Sequence, residues 1–243
     1  GSISKLFEST SGRAKLTVAS ASTDETGFSI RALRDIGKVN GIQVASPIVK
    51  AQSGLADQKD SDTLDIGLFG TNSGGLLLYG ILPAQEQSTR DYKLVEGRFL
   101  TDDPEVREVV LVESFATDEK IKVNDLIEII TPNGVKELKV VGLISRDGPG
   151  QTNNGKFGVI PLETAQQMFN RGDDIDQVDI VPVNQNPSTK ELAALRDAVQ
   201  AEMGRDYSVT YPSGQGQRMT QMLQNYQIGL NFMSGIALFV GAF

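Results

Sequence analysis

Hydrophobic and polar positions alternate along residues 14–20 (Ala-Lys-Leu-Thr-Val-Ala-Ser), which predicts a strand with one buried face. A turn-rich stretch at 22–27 follows. Ile30, Leu33 and Ile36 then recur at helical spacing, predicting a helix over 28–36 that Gly37 and Gly41 close. Residues 42–49 read as a strand at a sheet edge, because Pro47 lacks the N–H that a central strand donates. Late in the chain the same order returns. Residues 177–181 form a strand. Ser188 starts a helix as its N-cap, with Glu191 three residues on as a capping box. Leu192, Leu195 and Val199 make the apolar stripe, Gly204 ends the helix, and 207–211 is again a strand.

Ala32-Leu33-Arg34-Asp35 recurs as Ala194-Leu195-Arg196-Asp197, and the offset of 162 also brings Leu16 onto Val178 and Val18 onto Ile180. Two units that share element order at constant offset predict a structural repeat assembled into one sheet-and-helix layer. Between them, residues 83–171 are β-rich, with strands at 106–112, 126–131 and 135–144. Pro132-Asn133-Gly134 is a hairpin turn. A short strand at 157–160 and a helix at 162–170 follow a polar loop at 146–156. The predicted fold class is α+β: a split α/β lobe built from two strand–helix–strand repeats, with an inserted β-rich lobe. The expected division is 1–82, 83–171, 172–214, and a C-terminal stalk at 215–243.

The C-terminal pattern changes character. No charged residue follows Arg218, and from Ile228 the chain is largely apolar, through Leu230, Phe232, Ile236, Leu238, Phe239 and Val240 to Phe243. A membrane-spanning helix needs roughly 20 apolar residues, so this segment reads as the start of one; a buried C-terminal helix is the competing reading. Gly229, Gly235 and Gly241 favour the membrane, where glycine is tolerated in helices. Gly1-Ser2 reads as a cloning scar, and no signal peptide is visible.

Composition narrows the function. With 31 acidic against 23 basic residues the net charge is −8, which argues against nucleic-acid binding. The chain has no histidine and no cysteine, so a Ser-His-Asp triad, a cysteine nucleophile, the usual zinc sites and disulfides are excluded. Gly150-Gln151-Thr152-Asn153-Asn154-Gly155-Lys156 fits most of a phosphate loop. Phe157 then replaces the magnesium-binding hydroxyl, and a strand follows where a helix is required. The segment reads instead as a mobile Gly/Asn loop pointing away from the membrane. Gly148, Gly150, Asn153, Asn154 and Lys156 are its candidate partner or substrate contacts. Asp173, Asp174, Asp176 and Asp179 lack the glycine and glutamate of a calcium loop and read as a solvated turn leading into the strand at 177–181. Asp57, Asp60, Asp62 and Asp65 read likewise. No catalytic, cofactor or metal residue is expected. Gly97-Arg98-Phe99-Leu100 reads as a tight turn, a structural arginine and a buried pair.

Several segments in order resemble the extracytoplasmic domain of FtsX-like, MacB-type ABC transporter permeases. They are Leu78-Tyr79-Gly80-Ile81-Leu82-Pro83, Leu94-Val95-Glu96-Gly97-Arg98-Phe99-Leu100, Val109-Val110-Leu111-Val112-Glu113-Ser114 and Val123-Asn124-Asp125-Leu126. Leu138-Lys139-Val140-Val141-Gly142-Leu143-Ile144 and Val159-Ile160-Pro161-Leu162 continue the order, which ends in 226–243. Asn124 stands where the family usually has glycine, and asparagine is the next-best residue for a positive φ. The resemblance implies a domain between the first two transmembrane helices, on the extracytoplasmic side of the cell membrane. It also implies a cytoplasmic ABC ATPase subunit, a second permease subunit and an extracytoplasmic adaptor or substrate protein as partners. ATP hydrolysis in that separate subunit or domain would be coupled mechanically to export or release of a peptide, lipoprotein or antibiotic. A sensor domain of a membrane receptor, and a carboxylate-based hydrolase, are the alternatives that the residues themselves leave open.

Overall fold

A computed structural model describes residues 10–22, 27–56, 75–103 and 105–212. The expectations for the termini, for the stalk and membrane segment at 215–243, and for the acidic loop around Asp60 lie outside the described residues. Among the described residues no helix is long and apolar enough to cross a membrane.

The two repeats interleave. Strands β1 (Leu16–Ser20) and β3 (Ile42–Ser53) flank the helix α1 (Ala32–Ile36), while β11 (Gln177–Pro182) and β12 (Tyr207–Thr210) flank α5 (Thr189–Met203). In the sheet these strands run β12-β1-β11-β3, each antiparallel to its neighbour. A strand–helix–strand unit places its two strands parallel and one strand apart, and each unit here fills the other's gap. Leu16 faces Ile180 and Val18 faces Val178 across the β1–β11 pair. The predicted juxtaposition of the repeats is therefore direct pairing. Helices α1 and α5 pack together, with Ile36, Leu192 and Val199 in one apolar cluster with Leu16, Val18, Val178 and Ile180.

Two sequence expectations change here. Phe28 and Ser29 leave the predicted helix to form β2 (Phe28–Ser29), which pairs with β10 (Asp174–Ile175). The Phe28 ring meets Tyr207 edge-on with centroids 5.2 Å apart, so tertiary pairing overrides the helical spacing. The strand with Pro47 is central, between β11 and β4 (Leu76–Ile81). Its β4 register begins only at Ile48, so Pro47 sits beyond the end of that ladder and interrupts none of it.

Beyond Ile48 the sheet closes on itself. β4 pairs parallel with β9 (Phe157–Pro161), β9 with β6 (Glu108–Val112), and β6 parallel with β8 (Gly134–Ile144). β8 forms the predicted hairpin with β7 (Leu126–Thr131). The chain just after β3 then meets β7: Ile130 N donates to Gly54 O at 3.0 Å and Ala56 N to Glu128 O at 3.0 Å. Six segments thus close into a ring. Alternation sorts their side chains: Leu78, Val109, Leu111, Leu138 and Val140 join the large cluster, and Ile81, Val110, Val112, Val141 and Val159 a second one on the other face. The strands predicted for 83–171 are therefore continuous in hydrogen bonding with β3 and β4. The positive φ expected at Asn124 is 76°, and its N–H reaches Val140 O at 2.7 Å.

The open ends of the sheet differ. On β12 the outward-facing groups are capped by α5: Gln200 accepts from Val209 N at 3.1 Å and donates to Tyr207 O at 2.8 Å, while Arg196 donates to Val209 O at 2.9 Å. At the far end β5 (Leu94–Gly97) pairs, among the described residues, only with β8 and is exposed throughout. Replacing Arg196 and Gln200 together by alanine unseals β12. The expected result is unchanged circular dichroism with faster aggregation in light scattering.

Arg98 is structural, as its position after Gly97 predicts. Its guanidinium forks onto both carboxylate oxygens of Glu108, which is buried, and also donates to Phe99 O at 3.0 Å. Burial alone would raise the Glu108 carboxyl, but hydrogen bonds from Arg98 and Thr101 outweigh it and hold it below its usual value. A depressed carboxylate stabilises the fold above its unfolded value of 4.5 and loses that contribution as pH falls below it. Arg98→Ala should cost about 1–3 kcal/mol at neutral pH, kept low because Arg98 is half exposed. Urea titrations from pH 7 to pH 3 should show a shallower acid loss in the variant than in the parent.

Candidate functional site

The face of the sheet opposite α1 and α5 carries a polar row that the register assembles. Thr210, Thr17, Asp179 and Ser46 stand side by side on β12, β1, β11 and β3. Asp179 is flanked in sequence by Val178 and Ile180, which point into the core, so period-2 alternation turns its carboxylate to this face. Helix α2 (Pro83–Thr89) lies over the row with proline in its first turn. Spacing i,i+4 then puts Glu86 and Arg90 on one side, directly above Asp179.

These residues form a buried polar cluster. Arg90 Nη1 donates to Glu86 Oε1 at 2.7 Å, Nη2 bonds Asp179 Oδ2, and Nε donates to Thr10 O at 2.6 Å. The carboxylates also take neutral donors. Ser46 Oγ reaches Glu86 Oε2 at 2.6 Å, and Tyr92 OH reaches Glu86 Oε1 at 2.7 Å. Thr17 Oγ1 and Gln177 Nε2 each donate to Asp179 Oδ1 at 2.9 Å. Glu86 is 0% exposed, Asp179 1% and Arg90 8%. Burial by itself would lower the Arg90 guanidinium, yet Glu86 and Asp179 raise it, so it stays charged. Burial pushes the Tyr92 hydroxyl well up, helped by Glu86, and the Tyr79 hydroxyl to about 12. With every carboxylate oxygen taken, the arrangement supplies cohesion. Among the described residues no group of acidic side chains is placed to hold a metal ion.

The incoming chain is held a second time. Arg13 N–H donates to Thr89 O at 2.8 Å, and its guanidinium reaches Ser88 O at 2.9 Å, Gln87 O at 3.1 Å and Asp91 at 2.9 Å. A cation thus sits on the carbonyl end of α2. Gly12, at φ 59°, is pressed so close that a Cβ would stand 2.4 Å from Thr89 O. Arg13 grips α2 from the incoming segment, and Arg90 grips the incoming segment from α2.

A cleft of about 340 Å³ opens beside this clasp, with Thr10, Tyr79, Arg90, Asp179, Tyr211 and Pro212 among its walls. Both described extremes of the chain core, Thr10 and Pro212, therefore meet at one place. Pro149 and Thr152 line the same cleft, which corrects the expectation for the 146–156 loop. Residues Gly148–Gly155 form 3₁₀ turns, kinked where Asn153 and Asn154 take φ near 50° and 56°. Pro149, Gly150 and Gly155 are buried, and a Cβ on Gly150 would stand 2.0 Å from Ser145 O. Arg146 ties the turn through Asn154 at 2.8 Å, and Asn153 Nδ2 donates to Lys156 O at 2.9 Å. Gly150 therefore cannot serve as a surface contact, Gly148 and Lys156 are half-buried, and of the five only Asn154 is exposed. The loop lies against the junction of the chain ends, not at a remote tip.

Sequence reasoning missed Glu86 and Arg90, and it placed Asp179 on the strand 177–181 without giving it a role. A signal was present: the offset of 162 that superimposes Leu16 on Val178 also superimposes Thr17 on Asp179, the pair that bonds across β1 and β11.

A family model described as the MacB-like periplasmic core domain matches residues 2–202. The chain resembles the periplasmic region of MacB from Actinobacillus actinomycetemcomitans with a TM-score of 0.60 and 17% identity, over 90% of this chain and 96% of that one. It resembles the extracellular domain of the noncanonic ABC-type transporter YknZ from Gram-positive bacteria with a TM-score of 0.57 and 12% identity, over 81% of this chain and 99% of that one. No curated protein sequence matches.

Proposed function

The chain belongs to the MacB-like periplasmic core domain family, and from that premise we propose that it is the moving extracytoplasmic part of an ABC transporter permease. It lies on the extracytoplasmic side of the membrane, as the family does. In this reading a cytoplasmic ABC ATPase subunit hydrolyses ATP and a second permease subunit completes the transporter. The domain transmits the resulting motion to a peptide, lipoprotein or antibiotic that is exported or released. An adaptor or substrate protein is reached through exposed surface such as Asn154. The division at residues 82, 171 and 214 is retained as the scheme in which the split lobe carries the inserted one.

One observation carries the proposal. Thr17 on β1 faces Thr210 on β12 in an antiparallel pair, so the chain enters and leaves the core at the same edge, beside one cleft. A domain inserted between two membrane helices requires that arrangement, because both connections must return to one membrane surface. These 243 residues contain no cysteine, so once any cysteines in the rest of the transporter are replaced, one introduced cysteine labels the domain at a single position. Gln185→Cys, on an exposed loop, carries a spin label in the full-length permease with its ATPase in nanodiscs. The distance between the two labels of the dimer should shift between the nucleotide-free and the ATP-vanadate states. Identical distributions in both states would overturn the mechanical reading.

A further inference from the structure

We propose that Arg90 is the positioning residue that couples the incoming chain to the sheet, so that displacement of residues 10–14 moves β11 and α2 with it. The inference rests on the permease reading above. Its ground is the assignment of the three donor nitrogens. Nε holds the backbone carbonyl of Thr10 in the incoming segment, Nη1 holds Glu86 on α2, and Nη2 holds Asp179 on β11. One rigid, planar group thus joins three separate elements.

A contact that transmits displacement between elements must not yield before the elements move. Backbone pairing alone does not ensure this at residues 10–14, because Lys15 N–H to Ile180 O at 2.9 Å is the first ladder bond to β11. Ahead of Lys15 the segment is attached to α2, through Arg13 and Arg90. Helix α2 has only seven residues, and it would peel away with the segment were it not tied down. Arg90 to Asp179, reinforced by Ser46 to Glu86, ties it to the sheet. Burial of the group excludes the water that would let such a tie exchange partners. Lysine would keep the charge but present a point ammonium on a flexible stem, which cannot hold three divergent acceptors in fixed directions.

Hydrogen exchange on the full-length permease with its ATPase, nucleotide-free and ATP-vanadate trapped, tests this. In the parent, trapping should change protection both at Arg13 and Lys15 and at Val178–Val181 on β11. In Arg90→Lys, exchange at Arg13 and Lys15 should be about 10-fold faster without nucleotide, with Tyr79 and Val159 unchanged in the ring. The trapping response at β11 should vanish while basal ATP hydrolysis persists. Asp179→Asn is the second variant, should Arg90→Lys not fold. It keeps the bonds to Thr10 and Glu86, so protection at Arg13 should stay while the response at β11 is lost. A β11 response that survives in these variants overturns the coupling role, as does exchange rising uniformly through the ring, which marks a merely structural arginine. A parent that shows no response to trapping at Arg13 or Lys15 overturns the permease reading itself, whatever the variants do.

Discussion

Arg90→Ala should lower the unfolding free energy by about 3–5 kcal/mol, the cost of leaving buried carboxylates without their cation. At about 2–4 °C per kcal/mol for a domain of this size, the melting temperature should fall by roughly 6–20 °C. The magnitude follows from what the guanidinium leaves behind. Glu86 and Asp179 are both buried, and one cation faces two carboxylates, so its removal strands two charges. The cavity left behind adds to the cost. A companion variant separates the cluster's cohesion from its worth as packing. Replacing Glu86, Arg90 and Asp179 together by apolar residues of similar volume removes the charges with the ties, and should recover most of the lost stability. Equal melting temperatures for Arg90→Ala and the parent would show that the cluster is solvated and the buried description wrong.

Gly97→Ala should be nearly as damaging, at about 2–5 kcal/mol by urea denaturation. Gly97 sits at φ 73°, where an L side chain costs about 1–2 kcal/mol. Space is a separate matter: a Cβ there would stand 2.2 Å from Val141 O and 2.9 Å from the Gly142 Cα. Neither neighbour is a side chain that can rotate away, so β5 must shift from β8, adding about 1–3 kcal/mol. That shift also moves Arg98, whose backbone N–H bonds Val141 O at 2.9 Å, and with it the pair to Glu108. Gly134→Ala is the control, because φ is 94° there but nothing stands within 4 Å of the added carbon. It should lose only the conformational part. Equal losses at both positions would mean that the close approach of β5 to β8 is not felt.

The hairpin β7–β8 was legible because its information is local: a period-2 pattern on each side of Pro132-Asn133-Gly134 leaves one register open. The helix α5 was legible for the same reason, with Ser188 accepting from Glu191 N–H at 3.1 Å as the cap predicts. Half of the predicted capping box is absent, since the Glu191 carboxylate takes Asn184 at 3.0 Å. What escaped was information that exists only once distant segments meet. Closure of the ring depends on Leu55 meeting Ile129, and no pattern within either segment announces it. The helix predicted from residue 28 gave way to β2 because its partner, β10, lies near residue 174. Glu86 lies in a short helix, and Arg90 at its C-cap, in a segment whose composition reads as surface, and only the strand row beneath makes them interior. The 146–156 loop misled in the other direction: its Gly and Asn residues signal unusual φ values, which here serve tight folding against the cleft.

The interleaving of β1 with β11 and β12 has a consequence for how the protein is made. In the sheet β1 touches only those two strands, and both come from the far end of the chain. A polypeptide that crosses the membrane N-terminus first delivers Leu16 long before Ile180 exists on the same side. At synthesis rates of about 5–20 residues per second, the interval is on the order of ten seconds or more. Through that interval Leu16 and Val18, fully buried at the end, have no hydrophobic partner strand, whereas β7 and β8 can pair as soon as they emerge. The nascent domain should therefore assemble from its middle outwards, with its first strand the last to find a place. Quality-control proteases and chaperones of the envelope would meet the N-terminal strand as the exposed feature of every unfinished chain.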